Sequence, residues 1–215
     1  AGQLSVSRPC VLNPPIVWVA CGVRPTWPIT GMPRRVRNAT VSARCAPPSS
    51  FTAPAPVSHA PDGYVCPFCG LVAGDVSDPG NRCELGDTVY QDEDLLVLIA
   101  VDGFGDHEGH AMVCPAEHYE NLYDLPPRVL QRIALMAQQV ALAMKRAWAP
   151  DGVSTRQHNE PAGNQHVWHY HLHVFPRFEG DMLYRQLRHP VAPEVRALKA
   201  RELAAALDPV PTRLD

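Results

Sequence analysis

The stretch that most constrains this 215-residue chain is His169-Tyr170-His171-Leu172-His173-Val174-Phe175. Its alternation has a period of two, the side-chain period of a strand, so His169, His171 and His173 share one face and Tyr170, Leu172 and Val174 the other. The apolar face can pack on a core, whereas a face of three imidazoles costs solvation unless each ring finds a partner. Only 10 of the 215 residues are His, so the cluster points to a site rather than to a solvated strand face. Two chemistries are open: alternating histidines as zinc ligands, or a nucleophilic imidazole flanked by helpers. Upstream, Asn159 and Gly163-Asn164-Gln165 make a polar, glycine-containing turn whose amide donors suit a phosphate.

Charge bounds the partners. Residues 1–60 hold six arginines and no Lys, Asp or Glu, which leaves 13 basic and 22 acidic residues in 61–215, a net of −9. A folded part this acidic has no generic basic face, so no duplex nucleic acid is expected as a partner. The same first 60 residues contain ten prolines and no sustained period. Proline removes donors and fixes φ, so 1–60 reads as a disordered or non-native leader. An Arg-rich, acid-free leader also fits a targeting peptide, and translation starting near Met32 or later is a third option. The apolar run 16–21 is too short for a membrane span; the expectation is a cytoplasmic protein with no membrane partner.

Seven cysteines are present. Cys66-Pro67-Phe68-Cys69 is a Cys-x-x-Cys pair, in a reducing compartment more often a metal or redox site than a structural disulfide. Zinc would need two further ligands. A thioredoxin-like site expects the pair after a strand in a βαβ setting, which is not seen here.

The remaining elements follow from pattern. Residues 88–91 and 95–101 read as two strands around an acidic turn, the second apolar throughout and buried on both faces, with Asp102 ending it as a turn or site residue. Within 109–118 the central residues are β-prone and read as a strand, and Pro115 ends its ladder. His107 and His110 read as loop residues, with His107 alternatively a lone ligand. Residues 125–148 form the long helix, with Asp124 as N-cap and Pro126 in the first turn. Val129, Ile133, Met136, Val140 and Met144 give it an apolar stripe, and Pro150 and Gly152 close it. A strand over Gly152–Gln157 leads to Asn159, and 193–207 is a short Ala/Leu-rich helix, read as a dimer or lid element. The fold class is α+β: an antiparallel sheet of about five strands with a long helix packed on it. This places a domain at 61–180 and a C-terminal extension at 181–215.

The run 169–175 resembles the histidine triad (HIT) signature, His-x-His-x-His followed by apolar residues. Gly163-Asn164-Gln165-His166-Val167-Trp168 is similar to that family's lead-in, except that Asn164 and His166 stand where Gly and Ser are usual. Cys66-Pro67-Phe68-Cys69-Gly70-Leu71-Val72-Ala73-Gly74-Asp75 resembles the opening of the zinc-containing branch, and Gly109–His118 its Gly-His-x-(Leu/Met)-Val-x-Pro-x-x-His strand. The likeness spans residues 64–178. It implies a structural Zn²⁺ held by Cys66, Cys69, His118 and His169, a ligand set that suits zinc. It implies that His171 attacks the α-phosphorus of a purine nucleotide to give a nucleotidyl-histidine, which water hydrolyses. His173 would bind phosphate oxygens or the leaving group, Asn159 and Gln165 would orient and stabilise the phosphate, and Asp102 would accept from ribose hydroxyls. Implied substrates are nucleoside phosphoramidates, dinucleoside polyphosphates or adenylylated compounds, each releasing a nucleoside monophosphate. His173 in the third place, where the transferase branch has Gln, implies hydrolysis rather than transfer. A homodimer is the implied assembly. Two other readings stay open: a non-catalytic nucleotide-binding module, and a metal-dependent hydrolase with the three histidines as ligands.

Overall fold

Leu95–Ile99 is apolar at every position and every residue is buried, because a different layer covers each of its faces. The computed structural model describes residues 58–105 and 107–209. Its strands are β1 (Thr88–Gln91), β2 (Leu95–Ile99), β3 (Asp102–Phe104), β4 (Ala111–Pro115), β5 (Gly152–Gln157), β6 (Leu172–Arg177) and β7 (Arg188–Pro190), and its α-helices are α1 (Pro67–Ala73), α2 (Pro127–Trp148) and α3 (Pro193–Ala206). Five strands make one sheet in the order β1-β2-β4-β6-β5, every pair antiparallel, and β3 pairs with β7 in a separate ribbon.

Alternation sorts the core into two layers. Leu95, Val97, Ile99, Ala111, Val113 and Val174 pack with Val129, Ile133, Met136, Val140 and Met144 of α2 and with Ala200 and Leu203 of α3. The stripe expected on the long helix is therefore the buried one. Leu96, Leu98, Met112 and Cys114 face the other way, onto Phe68 and Leu71 of α1 and onto Cys83. Each Val, Leu, Ile, Phe or Met among them contributes about 1.5–3 kcal/mol on burial. Among the described residues, no helix is long and apolar enough to cross a membrane.

Four boundaries differ from the sequence expectation, each for a local reason. The strand expected over 169–175 begins only at Leu172, where pairing to Val113 of β4 and Gln157 of β5 begins. Residues 169–171 run past the end of β5 and leave the ladder with β4, Tyr170 N donating to the Tyr119 carbonyl instead. The strand expected to reach Val101 stops at Ile99, and Asp102 opens β3 instead of closing β2, because the chain turns out of the sheet and pairs Asp102 with Pro190. The long helix starts at Pro127 rather than residue 125. Leu125 and Pro126 each precede a proline, which disfavours the helical region, and both are extended, with ψ 130° and 139°. Asp124 is not its N-cap: its carboxylate accepts from Asn121 N at 3.1 Å and closes the 3₁₀ turn Leu122–Asp124. At the other end Lys145 Nζ donates to the carbonyls of Pro150 (2.6 Å) and Asp151 (2.9 Å), a cation on the exposed helix carbonyl end.

The leader read over 1–60 falls mostly on residues outside the described ones. Of its last residues, Ser58 Oγ donates to Glu120 Oε2 at 2.7 Å and His59 N to Glu120 Oε1 at 2.8 Å.

Candidate active site and metal centre

Cys66 is the N-cap of α1, its sulfur accepting from Cys69 N, so one helical turn sets both thiols on the same side. His118 follows Pro115 at the end of β4, and His169 lies just before β6. Cys66 Sγ is 3.3 Å from His169 Nδ1, Cys69 Sγ is 3.6 Å from the same atom, and Cys69 Sγ is 3.3 Å from His118 Nδ1. A tetrahedral ion about 2.3 Å from sulfur and about 2.0 Å from nitrogen would set S···N edges of about 3.5 Å. All four ligand atoms lie within 4.8 Å of one another. His169 Nε2–H donates to the Pro115 carbonyl at 3.0 Å, which leaves Nδ1 free as ligand and fixes the tautomer. Both thiols are free and hydrogen-bond to each other: Cys66 is driven down by that hydrogen bond and by His169, and Cys69 is driven up by the same hydrogen bond and by burial. A bound divalent ion would favour the thiolate form of both. The donor set and its spacing fit zinc.

The other two histidines point elsewhere. His171 and His173 face each other, ring centroids 4.8 Å apart, and both line a cavity of about 570 Å³ on the α1 side of the sheet. The three histidines therefore do not converge on one ion; among the described residues only His169 joins a metal-ligating group. His171 is buried, Phe68 meets its ring edge-on at 5.6 Å, and its Nδ1–H donates to the His169 carbonyl at 2.7 Å. Burial lowers its pKa to about 4, so the ring is neutral near pH 7 with the Nε2 lone pair free of hydrogen-bond partners among the described residues. Burial first, then His171 and His110, holds His173 well below the usual imidazole value. His110, one residue before β4, is the third neutral ring: burial lowers it to about 3, it stacks on Phe175 at 4.2 Å, and its Nε2 is 3.1 Å from His173 Nδ1.

The rest of the cavity wall is largely apolar, with three arginines and one carboxylate set into it. Asp102 lines it with both carboxylate oxygens engaged by Arg82, at 3.2 and 2.5 Å, and with Arg188 Nε 3.5 Å away. Arg156 lines it from β5, opposite His173. His158 lines it as well, with Nδ1 bound to the Gly163 carbonyl at 2.6 Å, which leaves Nε2 toward the site.

Asn159 and Gln165 lie outside this lining. Asn159 Oδ1 accepts from Leu122 N at 2.8 Å and Gln157 Nε2 at 3.0 Å. Gln165 is buried; its amide donates to the carbonyls of Glu120 (2.8 Å) and Val167 (3.1 Å) and accepts from Glu160 N at 2.7 Å. It braces the turn that carries Asn164 and His166 into the cavity. His107, considered as a lone ligand, is buried with Nε2 3.3 Å from Asp181 Oδ2. Sequence reasoning missed Arg82, Arg156, His158 and Arg188; His110 is a loop residue as expected, but one that lines the cavity. For Arg156 and His158 a signal existed: they continue one face of β5, the strand beside β6.

An antiparallel α+β sheet thus carries a Cys2His2 cluster beside a histidine-lined cavity. Residues 84–180 match the family described as HIT, HIT domain. The protein Hit of Bacillus subtilis is 31% identical over 117 residues, 54% of this chain and 74% of that relative. A zinc-bound histidine triad family protein from Mycobacterium smegmatis superposes with a TM-score of 0.54 at 32% identity, over 66% of this chain and 91% of that one. Adenylylsulfatase HINT3 of Arabidopsis thaliana is 26% identical over 119 residues, 55% of each chain. The chain belongs to the HIT family.

Proposed function

We propose that this protein is a HIT-type hydrolase that cleaves a purine nucleotide at its α-phosphate and releases the nucleoside monophosphate. The observation that carries this reading is the state of His171: neutral by burial, its Nδ1–H tied to the His169 carbonyl, its Nε2 open to a cavity with three arginines in its wall. In the first step the Nε2 lone pair forms a bond to the α-phosphorus, and the bond from phosphorus to the leaving group breaks, its electron pair departing with that group. In the second, a water oxygen attacks the phosphorus, the P–N bond breaks, its electrons return to Nε2, and the water's proton passes to solvent. His173, one ring away, would donate to phosphate oxygens or to the leaving group; Gln165 would act through the turn it braces, and Asn159 through its bond to Leu122 N. Asp102 would accept from the ribose hydroxyls with the lone pairs its arginines leave free.

Zinc, held by Cys66, Cys69, His118 and His169, would be structural: four protein ligands close its shell, and it would tie α1, the end of β4 and the lead into β6 together. The HIT relative from Mycobacterium smegmatis is zinc-bound, and the Arabidopsis relative is named an adenylylsulfatase; both support the reading. As in other members of the family, a homodimer is the expected assembly.

The test is AMP release from an adenosine phosphoramidate and from diadenosine tetraphosphate, wild type beside His171→Ala. Turnover by the wild type, reduced by several orders of magnitude in the variant, is the expected result. Binding of AMP without turnover of either compound would leave a nucleotide-binding module.

A further inference from the structure

We infer that Arg156 sets the leaving-group specificity of this cavity, favouring substrates that release an oxyanion, a phosphate chain or a sulfate; this rests on the hydrolase reading above. Arg156 pairs with His173 across β5 and β6, so both side chains leave the same face of the sheet. Both line the cavity with His171. The guanidinium carbon lies 5.3 Å from the Phe175 ring centroid and 4.6 Å from that of Tyr184. The other arginines nearby each have a carboxylate partner: Arg82 and Arg188 share Asp102, and Arg177 pairs with Asp181. Among the described residues no carboxylate pairs with Arg156. Aromatic rings hold a guanidinium by its face and leave its N–H edge to other partners. That edge is a planar fork of donors matched to phosphate and sulfate oxygens. Tyr184 lies past the residues matched to the family, which end at 180, so the brace comes from the C-terminal extension.

The chemistry gives the residue a distinct task. When the bond between the α-phosphorus and a bridging oxygen breaks, the electron pair stays on that oxygen, and Arg156 meets the charge formed there. An amine leaving group takes a proton as it departs and presents no such charge. Arg156 therefore separates the two substrate classes rather than accelerating both.

The experiment compares kcat/KM of the full chain, wild type, Arg156→Gln and Arg156→Lys, on diadenosine tetraphosphate, adenosine 5′-phosphosulfate and AMP morpholidate. The expected result is a fall of about 10- to 100-fold, the size of one charge-assisted hydrogen bond, in the ratio of anionic to amine leaving-group turnover for Arg156→Gln, with partial recovery in Arg156→Lys. A fall confined to the diadenosine compound or to the phosphosulfate supports the proposal and names the oxyanion. An unchanged ratio in Arg156→Gln, with or without a general loss of activity, makes Arg156 a packing brace and overturns it. Absence of wild-type turnover on all three sinks the hydrolase reading instead, and equilibrium binding then decides: tighter wild-type binding of ADP than AMP, erased in Arg156→Gln, keeps the anion site, and equal binding removes it.

Discussion

His169 and His171, two positions apart, do opposite things because their ring nitrogens are assigned differently. His169 gives Nε2–H to the Pro115 carbonyl and turns Nδ1 to the sulfurs, while His171 gives Nδ1–H to the His169 carbonyl and keeps Nε2. The carbonyl that fixes the tautomer of His171 thus belongs to a residue of the proposed zinc site. Stripping zinc from the protein is accordingly expected to lower its melting temperature strongly, since structural zinc sites carry apparent binding energies of about 10–16 kcal/mol. Thermal melts with and without a strong chelator, alongside Cys66→Ser, measure it; an unchanged melting temperature would remove zinc from the account. Added metal should not be needed for turnover by protein purified with its zinc.

At the scale of elements, the acidic turn between β1 and β2 is fixed by α2. Arg128 forks onto Asp94, and the buried Arg132 reaches both Asp92 (2.7 Å) and Asp94 (2.6 Å). Arg128, then Arg132, holds the Asp94 carboxyl below its ordinary value. A depressed carboxyl stabilises the fold above its unfolded pKa of about 3.9 and loses that contribution as pH falls through the lower folded value. Asp94→Asn should therefore lower stability at neutral pH and converge with wild type in acid, read by melts across the pH range; a constant offset would contradict the pairing. This contact was out of reach from sequence: the turn was legible as acidic, but nothing in a helical stripe says which arginine at its edge is buried. The stripe itself, the two-sided burial of β2 and the chain of strands were legible because burial imposes periods on a sequence. Strand ends were not, because they depend on where neighbouring strands stop, as at Leu172. The histidines of the site were legible as a cluster; the arginines came from three separate segments that only the fold brings together.

For the whole molecule, the C-terminal extension is part of the core rather than an appendage. Leu203 of α3 is fully buried, and Arg196 donates to Asp87 at 2.8 Å and to the Val191 carbonyl at 2.6 Å, with Asp87 itself fully buried. Removing one partner of such a pair strands the other charge, at a cost of about 3–5 kcal/mol, so Arg196→Met is expected to destabilise the entire domain in a single cooperative transition. Denaturant unfolding followed at Trp168 checks this, and a loss confined to the tail would contradict it. The same extension sets Tyr184 against Arg156 and places Arg188 in the cavity wall, which links the stability of α3 to the site. Everything in the functional account turns on His171 as the attacking atom. The most direct measurement is acid-free rapid quench during turnover of an adenylylated substrate, followed by mass mapping of the protein. An adenylyl group on His171, absent in His171→Ala, is the predicted result; turnover with no covalent adduct and with inversion at phosphorus would contradict it.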